Sequence, residues 1–143
     1  MKKLILSAAL ALAPLSAMAA GETHHLAIHV NQNDPAVMNM ALNNAQNVYQ
    51  HYKDQGDDVI IELVAYGPGL NMLIDGKSPV ADRISTMSLE MDHLQLSACG
   101  NTMAKMQRAS GKEVPLLSEA VVVSSGVVRL MELQGDGYAY VRP

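Results

Sequence analysis

Residues 59–66 form a near-continuous apolar run, rich in β-branched side chains and only eight residues long. A segment of that length and composition reads as a β-strand buried on both faces. A sheet buried on both faces needs a covering layer on each side, so this one run already favours an α/β architecture over a sandwich or a helical bundle.

The rest of the chain alternates in the way such an architecture requires. Residues 24–30 have strand composition, and Asp34 and Pro35 supply an N-cap and a first-turn proline for the helix that follows. In residues 37–52 the apolar positions Met38, Ala41, Leu42, Ala45, Val48, Tyr49 and Tyr52 recur at the helical period, with Asn39, Asn43, Asn47 and Gln50 on the opposite side. Gly56 stops that helix, and Gly67-Pro68-Gly69 ends the buried run. A short helix is expected over residues 70–75. Ser78-Pro79 opens another, with Val80, Ile84, Met87 and Met91 as its buried stripe. Residues 94–98 make a third strand, Cys99-Gly100-Asn101 a turn, and residues 102–109 a short helix stopped by Gly111. Residues 120–123 make a fourth strand. Ser124-Ser125-Gly126 opens a last helix in which Val127, Leu130 and Met131 are expected to face inward and which Gly135 ends, and residues 138–141 close the chain with a fifth strand. The expected fold is a three-layer α/β/α sandwich with a five-stranded, mainly parallel sheet, because parallel strands require crossovers.

The first twenty residues have a different character. Lys2 and Lys3 precede an apolar run over residues 4–15, and small residues around Ala17, Ala19 and Ala20 form a signal-peptidase pattern. The run is shorter than the roughly 20 apolar residues a membrane span needs. Residues 1–20 are therefore expected to be a signal peptide, residues 21–143 a single domain, and the periplasm the destination, with no membrane attachment after cleavage. Loss of the two lysines takes the formal charge from −4 to −6, a balance that offers no footprint for nucleic acid. Ten Met stand against five Tyr and no Phe or Trp, which assigns core filling to methionine.

The chain has one cysteine, so no internal disulfide forms and a self-contained Cys-x-x-Cys oxidoreductase is excluded. Cys99 falls at the carboxyl edge of a strand with a helix starting just after it, where free N–H groups and the helix dipole favour a thiolate. In open parallel sheets ligands bind at that edge. Around Cys99 the candidate ligand-binding residues are Gly100 and Asn101 in its own turn, Gly67 and Gly69 at the end of the buried strand, Ser125 before the last helix, and Asn39 near the start of the first. Asn43 and Asn47 read as a solvated polar face. Gly67-Pro68-Gly69 lacks both the dinucleotide and the phosphate-loop patterns, and Ser124 and Ser125 have no nucleophile elbow. His24, His25 and His29, with nearby Met, raise copper binding as an alternative, although no tight ligand spacing accompanies them. No cofactor is expected.

Tyr66-Gly67-Pro68-Gly69-Leu70, Ser78-Pro79-Val80-Ala81, Ala98-Cys99-Gly100-Asn101-Thr102, Ser125-Gly126-Val127-Val128 and Gly137-Tyr138-Ala139-Tyr140-Val141, in this order and spacing, resemble the DsrE/DsrF-like family. The likeness includes residues 41–45 after Asp34-Pro35 and spans the mature chain. It implies a parallel α/β/α fold, assembly as a homo-oligomer (trimer or hexamer), and a cysteine, here Cys99, that carries sulfur as a persulfide between donor and acceptor proteins. Such a protein is a sulfur carrier, or sulfurtransferase-like at most. The alternative is a non-catalytic oligomeric binding module in which Cys99 is structural.

Overall fold

The computed structural model describes residues 21–143; the expected signal peptide lies outside them. The element order is β1 (Thr23–Val30), α1 (Pro35–Asp54), β2 (Asp58–Ala65), a 3-10 helix (Gly67–Leu73), α2 (Ala81–Glu90), β3 (Leu94–Cys99), α3 (Gly100–Ser110), β4 (Ala120–Val123), α4 (Gly126–Gly135) and β5 (Ala139–Val141). The expected short helix over residues 70–75 is the 3-10 helix, which starts earlier, at Gly67. The local signals act as anticipated at α1, where the Asp34 carboxylate accepts the Ala36 N–H at 2.8 Å with Pro35 in the first turn. Past the end of α1, Gly56 takes φ +82° and turns the chain into β2.

The five strands form one sheet in the order β4-β3-β2-β1-β5, and every neighbouring pair is parallel. The chain steps from β1 through β2 and β3 to β4 in one direction and then returns past β1 to β5. Right-handed crossovers therefore place α1, α2 and α3 on one face and α4 alone on the other. The packing agrees. Met38, Leu42, Leu70, Leu73, Ile84 and Met87 share one core with Ile28, Ile61, Leu63 and Leu96, and Met103 and Met106 of α3 pack against it. Leu130 and Leu133 of α4 meet Ala27 and Val64 on the opposite face, flanked by Tyr66 and Tyr138. The fold is thus the expected three-layer α/β/α sandwich.

Two expectations about helices fail within this core. Ser78-Pro79 precedes α2 and does not open it, because the helix begins at Ala81 with Val80 as its N-cap while the Ser78 hydroxyl accepts the Val80 N–H in the turn before it. Of the expected inward stripe of α4, only Leu130 is buried; Val127 and Met131 are exposed, and Gly126 and Leu133 are buried instead. The helix is rotated because Arg129 faces the sheet, where Glu62 receives it. An apolar count along the helix treats arginine as outward and so misjudges the phase.

Candidate functional site

Strand alternation puts Ala27 and His29 of β1, Glu62 and Val64 of β2, and Ser97 and Cys99 of β3 on the α4 face, and the pairings His29 with Val64 and Val64 with Ser97 fix their level. Beyond these, Tyr66 and Cys99 stand at the carboxyl ends of their strands. The face is polar for a sheet interior: His29, Glu62 and Ser97 are buried, and all three belong to it.

Cys99 is the last residue of β3 and also the N-cap of α3, which begins at Gly100 without the intervening turn expected from the sequence. Its Sγ accepts the Thr102 N–H at 3.4 Å. Burial, the largest single influence on the thiol, pushes its pKa up; the Thr102 hydroxyl and the N–H groups of Gly126, Thr102 and Asn101 together outweigh it and hold the thiol below its ordinary value. The Thr102 oxygen in turn accepts the Gly67 N–H at 2.9 Å, which leaves its proton free for the sulfur. The sulfur thus sits beside the starts of α3 and α4, with the Thr102 N–H bonded to it. Cys99 is 4% exposed.

The glycines explain how backbone comes this close. A side chain on Gly126 would meet the Tyr66 ring and Cβ at 2.9 Å, and one on Gly100 would meet the Val123 carbonyl at 3.0 Å, so α3 and α4 start flush against β2 and β4. Gly67 takes φ +55° and aims its N–H at Thr102. Gly69 is buried against the Val30 carbonyl, where any side chain would collide. Asn101 contributes its backbone, donating to Ser124 O at 3.1 Å. Ser125 is the N-cap of α4, and its carbonyl accepts the Arg129 N–H at 2.9 Å.

Asn39 has other partners. Its amide donates to Pro35 O at 2.9 Å and its oxygen accepts from Arg83 at 3.0 Å, while Arg83 also reaches Asn43 at 2.6 Å. These contacts tie α1 to α2. The three histidines are likewise separately engaged. His24 stacks on Tyr52 at 3.6 Å between ring centres and pairs with Asp57 at 3.0 Å, and His25 lies edge-on to Tyr138. His29 bonds through Nδ1 to the Tyr140 hydroxyl at 2.6 Å and stacks on Tyr66. Among the described residues no group of three or more His, Cys, Asp or Glu is placed to hold a metal ion, and no described helix is long and apolar enough to cross a membrane.

Two features were not singled out from the sequence. The first is the pair Glu62 and Arg129, joined by Nε to Oε1 at 2.8 Å and Nη2 to Oε2 at 2.7 Å, with the Ser97 hydroxyl donating to Oε1 at 2.6 Å. A lone carboxylate inside an otherwise apolar strand was the available signal. The second is the His29–Tyr140 pair, which lies between β1 and β5, where the strand order reverses. His29 Nε2 is buried with no hydrogen-bond partner, and burial first, then the Arg142 charge, lowers the His29 pKa.

No protein-family model matches the sequence, and no curated protein does. Among solved structures, the chain is similar to the protein of unknown function MTH1491 from Methanobacterium thermoautotrophicum, with 30% identity and a TM-score of 0.71 over 84% of this chain and 99% of that one. At that identity over almost the whole of the other protein, the two chains belong to one family, whose described member carries no assigned activity.

Proposed function

We propose that the chain is an exported, periplasmic carrier of sulfane sulfur, with Cys99 as the sulfur-binding residue. The observation that carries this reading is the place of Sγ at a strand end, bonded by the Thr102 N–H and beside the starts of α3 and α4, a setting that favours a sulfur anion. The resemblance of the Ala98–Thr102 turn to the DsrE/DsrF-like pattern points the same way. In the loading step the Cys99 thiolate attacks the terminal sulfur of a polysulfide, or the sulfane sulfur of thiosulfate. One S–S bond forms as another breaks, and the shortened polysulfide, or sulfite, leaves with the electron pair. An acceptor thiolate then attacks the outer sulfur of the Cys99 persulfide and restores the Cys99 thiolate. Neither step needs a second cysteine in the chain, a cofactor or an outside oxidant.

The partners of this reading are a sulfur donor, an acceptor protein and further copies of the chain in a trimer or hexamer. The exposed apolar residues Val121, Val127, Val128 and Met131 on β4 and α4 are the surface that supports assembly.

Intact mass after incubation with polysulfide or thiosulfate tests the carrier reading. One extra sulfur on the wild type and none on Cys99→Ser is the expected result; no adduct from either donor overturns it. Burial favours a second reading, in which Cys99 is a structural cap of α3. Native thiol labelling separates the two: prompt modification without denaturant fits the carrier, and modification only on unfolding fits the cap.

A further inference from the structure

The donors around Cys99 come from two sources held in different ways. Thr102 belongs to the helix that Cys99 itself caps, so its placement follows from the local chain. Gly126 belongs to α4, which reaches the site only if the helix is seated correctly on the sheet. Its apolar anchorage is small: Leu130 and Leu133 are buried, while Val127, Val128 and Met131 are exposed. What adds to it is Arg129, one turn beyond Gly126, whose fork grips the Glu62 carboxylate through two bonds. Glu62 is 3% exposed and is held in turn by Ser97, two residues before Cys99 on β3. The guanidinium therefore fastens α4 to β2 directly and to β3 through Glu62.

We propose that Arg129 is a positioning residue: through its fork on Glu62 it holds α4 in the one seat that sets Gly126 on Tyr66, level with Cys99 on the neighbouring strand. A rigid helix transmits the constraint over a rise of about 4.5 Å from Arg129 to Gly126. The close packing of Gly126 on Tyr66 makes the seat intolerant of sliding. The effect of Arg129 is to place the start of α4, with its free backbone N–H groups, beside the strand end that carries Cys99. The inference rests on the reading of Cys99 as the reactive group, and the thiol can be followed without sulfur transfer.

The chain has one cysteine, so the ultraviolet absorbance of the thiolate, corrected with Cys99→Ser, reports Cys99 alone, and the pH profile of iodoacetamide alkylation gives the same midpoint by rate. Arg129→Lys keeps the charge and loses the fork. It is expected to raise the midpoint by about one pH unit, roughly a tenfold loss of thiolate below it, the effect of one donor to a charged group. Arg129→Met is expected to do the same. The double variant Glu62→Leu/Arg129→Leu replaces the pair by apolar volume that can seat the helix, and its midpoint is expected to return towards the wild type. Glu132→Gln, which removes only the outer 3.4 Å contact of Arg129, is expected to leave the midpoint in place. Folded Arg129→Lys with a wild-type midpoint overturns the proposal; so does a folded double variant with a raised midpoint, which would make the charge itself the cause. If Arg129→Met does not fold, the lysine and double variants carry the test. A missing sulfur adduct on the wild type would overturn the carrier reading and leave this result standing, and an unchanged midpoint would do the reverse.

Discussion

The two faces of the sheet are built by different rules. On one, α1, α2, α3 and the 3-10 helix bury a continuous apolar layer, including Met38, Leu42, Leu63 and Leu96. On the other, α4 alone covers a strip in which Leu130 and Leu133 share the interior with His29, Glu62 and Ser97. The topology produces the inequality, because three crossovers run one way from β1 and only one runs back. The thick face holds most of the buried apolar side chains. The thin face carries polar groups whose positions depend on specific bonds, and Cys99 stands at its edge. Continuous apolar burial and position-specific polar contacts are thus largely assigned to opposite sides of the same strands.

The sharpest way to break this division is to damage the thick face. Leu42→Ala removes a fully buried side chain of α1, with an expected loss of about 2–5 kcal/mol in urea unfolding. The alkylation midpoint of Cys99 should stay where it is in the folded variant. A shift would mean that the faces are mechanically coupled.

A smaller effect is expected on the thin face, and it should depend on pH. His29→Phe keeps a ring against Tyr66 but loses the 2.6 Å bond to Tyr140, an expected loss of about 0.5–1.5 kcal/mol near pH 7.5. The folded state holds the His29 proton less tightly than the unfolded chain, whose value is near 6.5. Below that pH the unfolded chain binds more protons, so wild-type stability falls as the solution is acidified. The phenylalanine variant lacks this contribution, and its deficit should shrink between pH 7.5 and pH values below 6.5. A deficit independent of pH would show that His29 titrates alike in both states.

The contrast between faces also explains what the sequence made legible. The thick face follows from periodicity: Val80, Ile84, Met87 and Met91 fall on one side of the α2 segment by spacing alone, and all four are buried. Asp34-Pro35 and Gly56 mark the ends of α1 through local chemistry that needs no tertiary partner. The strand-end place of Cys99 was legible for the same reason. The thin face resists such reading because its inward positions are polar and acquire partners only across the sheet. Arg129 becomes a sheet-facing residue only once Glu62 lies beneath it, 67 positions away, and that pairing turned the expected stripe of Val127, Leu130 and Met131 out of phase. Thr102, part of a recognisable turn, gains its role only when Gly67 occupies its oxygen.

The smallest expected effect on stability is at the outer surface of α4. Met131 is 69% exposed, so Met131→Lys should change the stability of the isolated chain by no more than about 0.5 kcal/mol, measured by urea unfolding at low concentration. If copies assemble through the exposed side chains of α4 and β4, the same substitution places a charge in an apolar contact. It should then move the elution volume towards the monomer and remove any concentration dependence of the melting temperature. A loss of several kcal/mol at every concentration would instead mean that Met131 is covered within one chain, and the thin face would then be thicker than its two buried leucines indicate. An unchanged elution volume in an oligomeric protein would place the contact elsewhere and leave the exposed stripe of α4 as ordinary surface.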